Sequence, residues 1–187
     1  MSQISIAQLF EDRREKLKLS WVSGSEGSNK LLTDDSVLNT DKEAIGYLNF
    51  IQPDWIQVLN SDGINYLNRL DTHTLEKKTN QLIQSNMVCI IIADNAEAPK
   101  SILALSNDAN IPLLSSPYPS SEIIWIIRAY LSSVLAPSCI LHGVLLDVLG
   151  MGVLITGESG VGKSELALEL ISRGHGLVAD DIVELRR

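Results

Sequence analysis

Residues 157–164 read GESGVGKS and match G-x-x-x-x-G-K-[ST] at every fixed position. The spacing describes a backbone cradle for phosphate. Gly157, Gly160 and Gly162 permit conformations and a close approach that a Cβ would block, so successive N–H groups turn inward, with Glu158, Ser159 and Val161 completing the loop. Lys163 then reaches the terminal phosphates as a point charge, and the Ser164 hydroxyl is the expected ligand of a bridging Mg²⁺. The chemistry is phosphoryl transfer from a nucleotide or a related phosphate donor. A glycine-rich turn that binds nothing would carry similar letters, but the flanks argue against it. The apolar run VLIT precedes the loop and the helical pattern ELALELISR follows it, so a positive helix end joins the cradle.

Three further side chains near this loop can move or hold a proton. VADD at residues 178–181 supplies Asp180 and Asp181, and His142 lies in the apolar stretch that leads to the loop. A carboxylate beside a phosphate loop can take a proton from an acceptor group during transfer. The bland alternative is a pair of solvated carboxylates at a strand end. A lone strand histidine is more often a hydrogen-bonded structural residue; a phosphate-facing one would stabilise charge as imidazolium or hold Asp181 in place. His73 sits in a polar stretch read as a turn, and His175 ends the helical pattern after the loop, where a cation-capable side chain suits the dipole.

Residues 138–185 combine an HGV-x-x-D strand, the loop, an ALEL-x-x-RGH helix end and the VADD strand. These linked motifs resemble the start of the catalytic domain of bacterial HPr kinase/phosphorylase. LNFIQPDWIQVLNSDGINYLNRL and IPLLSSPYPSSEII are similar to that family's N-terminal domain. The resemblance implies reversible phosphorylation of a seryl hydroxyl on the phosphocarrier protein HPr of the sugar phosphotransferase system. The donor would be ATP or pyrophosphate with Mg²⁺, and the reverse reaction would use inorganic phosphate. It implies catalytic roles for His142, Lys163 and one aspartate of the pair, with Ser164 on magnesium. Asp181 is preferred as the acid/base because it holds the second VADD position, with Asp180 next. Asp147 and Glu165 also match the pattern, as support or chemistry. The family implies a homo-hexamer.

The elements that must position these residues form two domains. Ser5 and Gln8 have capping-box spacing ahead of Ile6, Leu9, Phe10 and Leu17, which predicts an opening amphipathic helix. Residues 23–40 read as a surface loop or mobile segment. WIQVL at 55–59 predicts a strand, 64–70 a helix, and MVCIIIA at 87–93 a strand buried on both faces of a parallel sheet with helices beside it. A helix near 99–107, a strand at 112–114 and a helix over 120–135 follow. The last places Ile123, Ile126, Ile127, Tyr130, Leu131 and Val134 on one face. The fold class is therefore α/β: an N-terminal domain at 1–132 with a mainly parallel sheet, then the opening of a P-loop kinase domain at 133–187. In that second part, 139–149 reads as one strand, 150–152 as a tight turn and 153–156 as the returning strand. It lacks the family's further metal-binding glutamate and later segment, so the chain is expected to be a fragment that does not turn over alone.

Composition narrows the partners. Fifteen basic residues against 23 acidic ones give a net charge of -8, without the basic stripe that a nucleic acid needs. No segment has the roughly 18 uncharged apolar residues that span a bilayer, and the N-terminus has no signal-type apolar core, so the expected location is the cytoplasm. Cys89 and Cys139 lie in apolar runs and read as buried thiols. Two other functions share these residues: a P-loop kinase for a small molecule, and a noncatalytic regulatory module acting through the N-terminal domain.

Overall fold

Ser5 ends a short strand and starts a helix. Its hydroxyl accepts the Gln8 N–H at 3.1 Å, and Ile6, Leu9, Phe10 and Leu17 turn inward as their spacing predicts. The computed structural model describes residues 3–33, 44–49, 55–85, 87–136 and 138–186. It divides into two compact units, Met1–Ala136 and Pro137–Arg187.

The first unit runs β1 (Gln3–Ser5), α1 (Ile6–Leu17), β2 (Ser20–Ser23), a 3-10 turn (Ser25–Asn29), β3 (Leu31–Thr33), β4 (Ile45–Tyr47) and β5 (Ile56–Leu59). It continues through α2 (Ser61–Asn68), α3 (Thr72–Gln84), β6 (Cys89–Ile92), α4 (Lys100–Asp108), β7 (Leu113–Ser115) and α5 (Ser120–Val134). Five strands form one sheet in the order β2-β7-β6-β5-β4, parallel except where β2 joins β7, while β1 and β3 pair separately. The mainly parallel α/β fold expected from the sequence is the one observed.

β6 explains why the apolar run at 87–93 is unbroken. Cys89 and Ile91 face a cluster with α1 and α5, whereas Ile90 and Ile92 face a cluster with Leu67, Leu82, Ile102 and Leu105 of α2, α3 and α4. Both faces are covered, so alternation with polar residues would bury unpaired groups. Burying each isoleucine contributes roughly 1.5–3 kcal/mol, which makes this strand the centre of the unit's stability.

Several local expectations need correction. Part of the stretch read as a loop at 23–40 is ordered into the 3-10 turn and β3; residues 34–40 lie outside the described set. The helix expected at 64–70 begins at Ser61 because the Asn60 side chain accepts the Gly63 N–H at 2.9 Å. His73 belongs to the first turn of α3, where the Asp71 carboxylate caps the Thr74 N–H at 3.0 Å. Pro137, read as a helix breaker, lies outside the described set.

The second unit contains β8 (Ser138–His142), β9 (Val144–Val148), β10 (Met151–Ile155), α6 (Lys163–Ser172), β11 (Gly176–Ala179) and β12 (Ile182–Arg186). β9 is central to an antiparallel sheet ordered β10-β9-β11, and β8 pairs with β12. The single strand expected over 139–149 is thus two strands, broken at Gly143. The turn expected at 150–152 is centred on Leu149 and Gly150, with φ of 56° and 82°. Met151 and Gly152 are already paired with Val148 and Asp147. Two successive left-handed residues give a hairpin twist that matches the strands. Cys139 is exposed, contrary to the expectation of a buried thiol, because β8 is a ribbon strand with no helix over it among the described residues. Cys89 is buried as expected.

Candidate phosphate-binding site

β10 delivers the chain to the glycine loop and α6 carries it away. Ala167, Leu170 and Ile171, at helical spacing, pack α6 against Val144, Leu146 and Val148 of β9 and Ile155 of β10. This small core fixes where the first helical turn opens, and Lys163, Ser164 and Glu165 occupy that turn. Gly160 has φ +83°, yet a Cβ there would meet no atom within 4 Å. Backbone conformation, not crowding, selects glycine at that position. The Lys163 ammonium donates to the carbonyls of Gly157 at 2.9 Å and Glu158 at 2.8 Å. An ammonium has three donors, so the lysine is tethered across the loop with one donor beyond those two.

The opposite wall arises where paired strands change sheet. β8 continues into β9 through Gly143, and β11 continues into β12 through Asp180 and Asp181. The two corners meet: the Gly143 N–H donates to the Asp181 carbonyl at 3.2 Å. A Cβ on Gly143 would lie 2.5 Å from the Ile155 carbonyl oxygen, so only glycine permits this approach. The Ile182 N–H donates to the Asp180 carbonyl at 2.9 Å, which makes a three-residue turn with Asp181 at its centre and φ +68°. That conformation costs an L-residue on the order of 1–2 kcal/mol.

The two carboxylates have different duties in this turn. Asp180 accepts the Asp181 N–H at 3.0 Å. Among the described residues, no hydrogen bond or ion pair engages the Asp181 carboxylate. His142 stands beside them, paired in register with Ile182.

A cleft of about 660 Å³ joins these parts. His142, Lys163, Ser164, Asp180 and Asp181 all line it, with Gly157, Ser159, Gly160 and Gly162 of the loop. Glu158 and Val161 do not, although both belong to the loop motif. Glu165 lines it as well, and so do Gly143 and Val144, which sequence reasoning did not single out as site residues. The available signal for Gly143 was a glycine inside a strand pattern, which marks a bulge or a close backbone approach. Asp147 lies elsewhere, accepting the Gly150 N–H at 2.8 Å in the β9–β10 hairpin. His175 follows Gly174 at the end of α6, where its N–H caps the Leu170 carbonyl. His73 belongs to the first unit.

The donor set suits a hard divalent cation held together with phosphate. Glu165, Asp180 and Asp181 place three carboxylates on a cleft whose loop is shaped for an anion, and their repulsion of phosphate is relieved by a cation between them. Among the described residues, no group of three or more His, Cys, Asp or Glu is placed to hold a metal ion by itself. Magnesium does not require one, because it keeps waters and takes one or two protein oxygens plus substrate phosphates.

Two family models match the chain: HPr Serine kinase N terminus over residues 4–131 and HPr Serine kinase C-terminal domain over 133–187. A protein of Nitrosomonas europaea named HPr kinase/phosphorylase is 56% identical over all 187 residues, which span 58% of its length. Proteins of that name from Bordetella pertussis and Chromobacterium violaceum are each 42% identical, over 98% and 100% of this chain and 59% and 58% of their own lengths. The chain thus spans less than three fifths of the length of each of these relatives.

Proposed function

The chain belongs to the HPr serine kinase family, and from that premise we propose that its second unit supplies the phosphate-handling part of an enzyme that phosphorylates a serine of HPr and removes the phosphate again. The reading rests on one observation: the glycine loop, the start of α6 and the Asp180–Asp181 turn share a single cleft. A nucleotide or pyrophosphate donor lies with its phosphates against the loop N–H groups and Lys163. Ser164 would hold a magnesium ion, which would supply positive charge to offset that of the phosphates.

Asp181 accepts the seryl proton as the hydroxyl oxygen attacks the terminal phosphorus, and the unengaged state of its carboxylate supports that role. In reverse, inorganic phosphate attacks phosphoserine, and protonated Asp181 returns the proton to the departing seryl oxygen. Asp180 shapes the turn through its bond to the Asp181 N–H. His142 flanks Asp181, where it orients the carboxylate or faces the transferring phosphate as imidazolium. The first unit takes the regulatory part. ATP or pyrophosphate as donor, a homo-hexamer and a cytoplasmic setting complete the proposal.

Titration of the chain with MgATP and with magnesium pyrophosphate, followed through the backbone amide signals of residues 157–165, tests the site. Saturable shifts there are expected in the parent chain and are lost in Lys163→Ala, with the melting temperature unchanged. Equal shifts in both proteins would contradict the assignment.

A further inference from the structure

The first turn of α6 carries a carboxylate of its own. The Leu166 N–H donates to the Gly162 carbonyl at 3.0 Å, so the N–H groups of Lys163, Ser164 and Glu165 have no acceptor within the helix, and all three residues line the cleft. Gly162 stands at the cap position and has no side chain to satisfy them. Glu165 holds the third helical position, from which a glutamate reaches back over the cap. Its Oε2 lies 3.7 Å from the place that a Cβ on Gly162 would take, so the side chain folds toward the loop. It pairs with nothing there. Among the described residues, no hydrogen bond or ion pair engages the Glu165 carboxylate. The Lys163 ammonium, which could have neutralised it, is tied to the Gly157 and Glu158 carbonyls.

Charge then decides what the loop accepts. Among the described residues that line the cleft, Glu165, Asp180 and Asp181 are anionic and Lys163 is the one permanent cation. The two aspartates belong to the opposite wall, at the turn between β11 and β12, whereas Glu165 shares the helical turn that completes the phosphate loop. A bare pyrophosphate or nucleotide brings several negative charges toward this side chain, and the repulsion grows with each of them. On the phosphate-donor reading of this cleft, we propose that Glu165 makes the loop selective for metal-complexed donors: its carboxylate repels bare polyphosphate and is tolerated when magnesium accompanies the donor. Glu165 is thereby a specificity-determining residue, with no proton to carry and no metal to hold. It keeps off the loop a donor that lacks the positive charge needed for transfer. A carboxylate in the first turn also suits the helix dipole, so the effect must be read from a quantity that helix stability does not move.

That quantity is the ratio of two affinities. The whole chain and its Glu165→Gln variant are titrated with pyrophosphate, once with EDTA and once with magnesium in slight excess, while the backbone amides of residues 157–165 are followed. The parent is expected to bind magnesium pyrophosphate and to bind bare pyrophosphate far more weakly. Glu165→Gln should bind bare pyrophosphate roughly tenfold more tightly than the parent does, and magnesium pyrophosphate within about threefold of it, because one exposed charge is removed beside a highly charged ligand. A loss of helix stability weakens both titrations alike and leaves their ratio unmoved. Glu169→Gln, one turn further along α6 and outside the cleft lining, should keep the parental ratio. The proposal is overturned by an unchanged ratio in Glu165→Gln, by an equal change in Glu169→Gln, or by a Glu165→Gln protein that loses affinity for magnesium pyrophosphate alone, which would mark Glu165 as a holder of the metal. A parent without shifts at 157–165 under either condition would refute the phosphate-donor reading itself, and the selectivity with it.

Discussion

Asp181 owes its place to a glycine at the break between two other strands. The Gly143 N–H holds the Asp181 carbonyl, and the corner closes because a Cβ on Gly143, which would lie 2.5 Å from the Ile155 carbonyl oxygen, is missing. Replacing Gly143 with alanine should destabilise the second unit by about 1–3 kcal/mol through overpacking against a backbone atom that cannot swing away. It should also disturb the Asp181 amide signal while leaving the first unit unaffected. Hydrogen exchange resolved by residue reads both effects, and an alanine variant with parental protection at residues 141–155 would refute the role. The glycine loop was legible because its fixed letters stand side by side in the chain, so its constraint is local. The Asp181 turn was not, since part of what holds the left-handed aspartate is Gly143, far back in the chain at the break between β8 and β9. The thiol of Cys139 was misjudged for a related reason: apolar letters record a tendency to be covered, and β8 has no covering helix among the described residues.

Among the helices and strands, one exposed carboxylate fastens two helix starts. The Asp94 side chain accepts the Ser61 N–H of α2 at 3.1 Å and the Ser120 N–H of α5 at 3.2 Å, while Pro119, at the cap position of α5, offers no side-chain acceptor. Asp94→Ala should therefore lower the unit's stability by about 1–2 kcal/mol, the usual cost of a lost cap with its dipole interaction. Asp94 also has φ +60°, so Asp94→Gly should be the milder change, recovering up to about 1 kcal/mol of backbone strain. Urea melts of the three proteins check the order. A glycine variant weaker than the alanine one would show that the caps are not the cause. The strands and helices around Asp94 could be read from periodicity, since MVCIIIA and the apolar face of α5 are patterns of one element. The clamp could not, because its partners stand 33 and 26 positions away.

Across the whole molecule, among the described residues, the two clusters of the first unit draw on none beyond Leu135. That unit closes its core within Met1–Ala136, so this segment expressed alone should melt cooperatively and keep the amide spectrum that it has in the full chain. Loss of dispersed signals on excision would contradict that independence. The second unit buries only Val144, Leu146 and Ala167 in its cluster and exposes Leu166, Leu168 and Val178, so its protection against hydrogen exchange should be lower.

Transfer of phosphate to a protein serine and back can be followed in a full-length protein of this family carrying these residues. HPr is incubated with MgATP, or phosphoserine-HPr with inorganic phosphate, and phosphoserine is followed by mass spectrometry for the parent and for Asp181→Asn. Gain and loss of one phosphoserine are expected with the parent, and loss of both directions together in the variant, because one carboxylate serves as base and then as acid. An Asp181→Asn protein that keeps either direction at the parental rate, or a parent that leaves HPr unmodified while phosphorylating a small molecule, would contradict it.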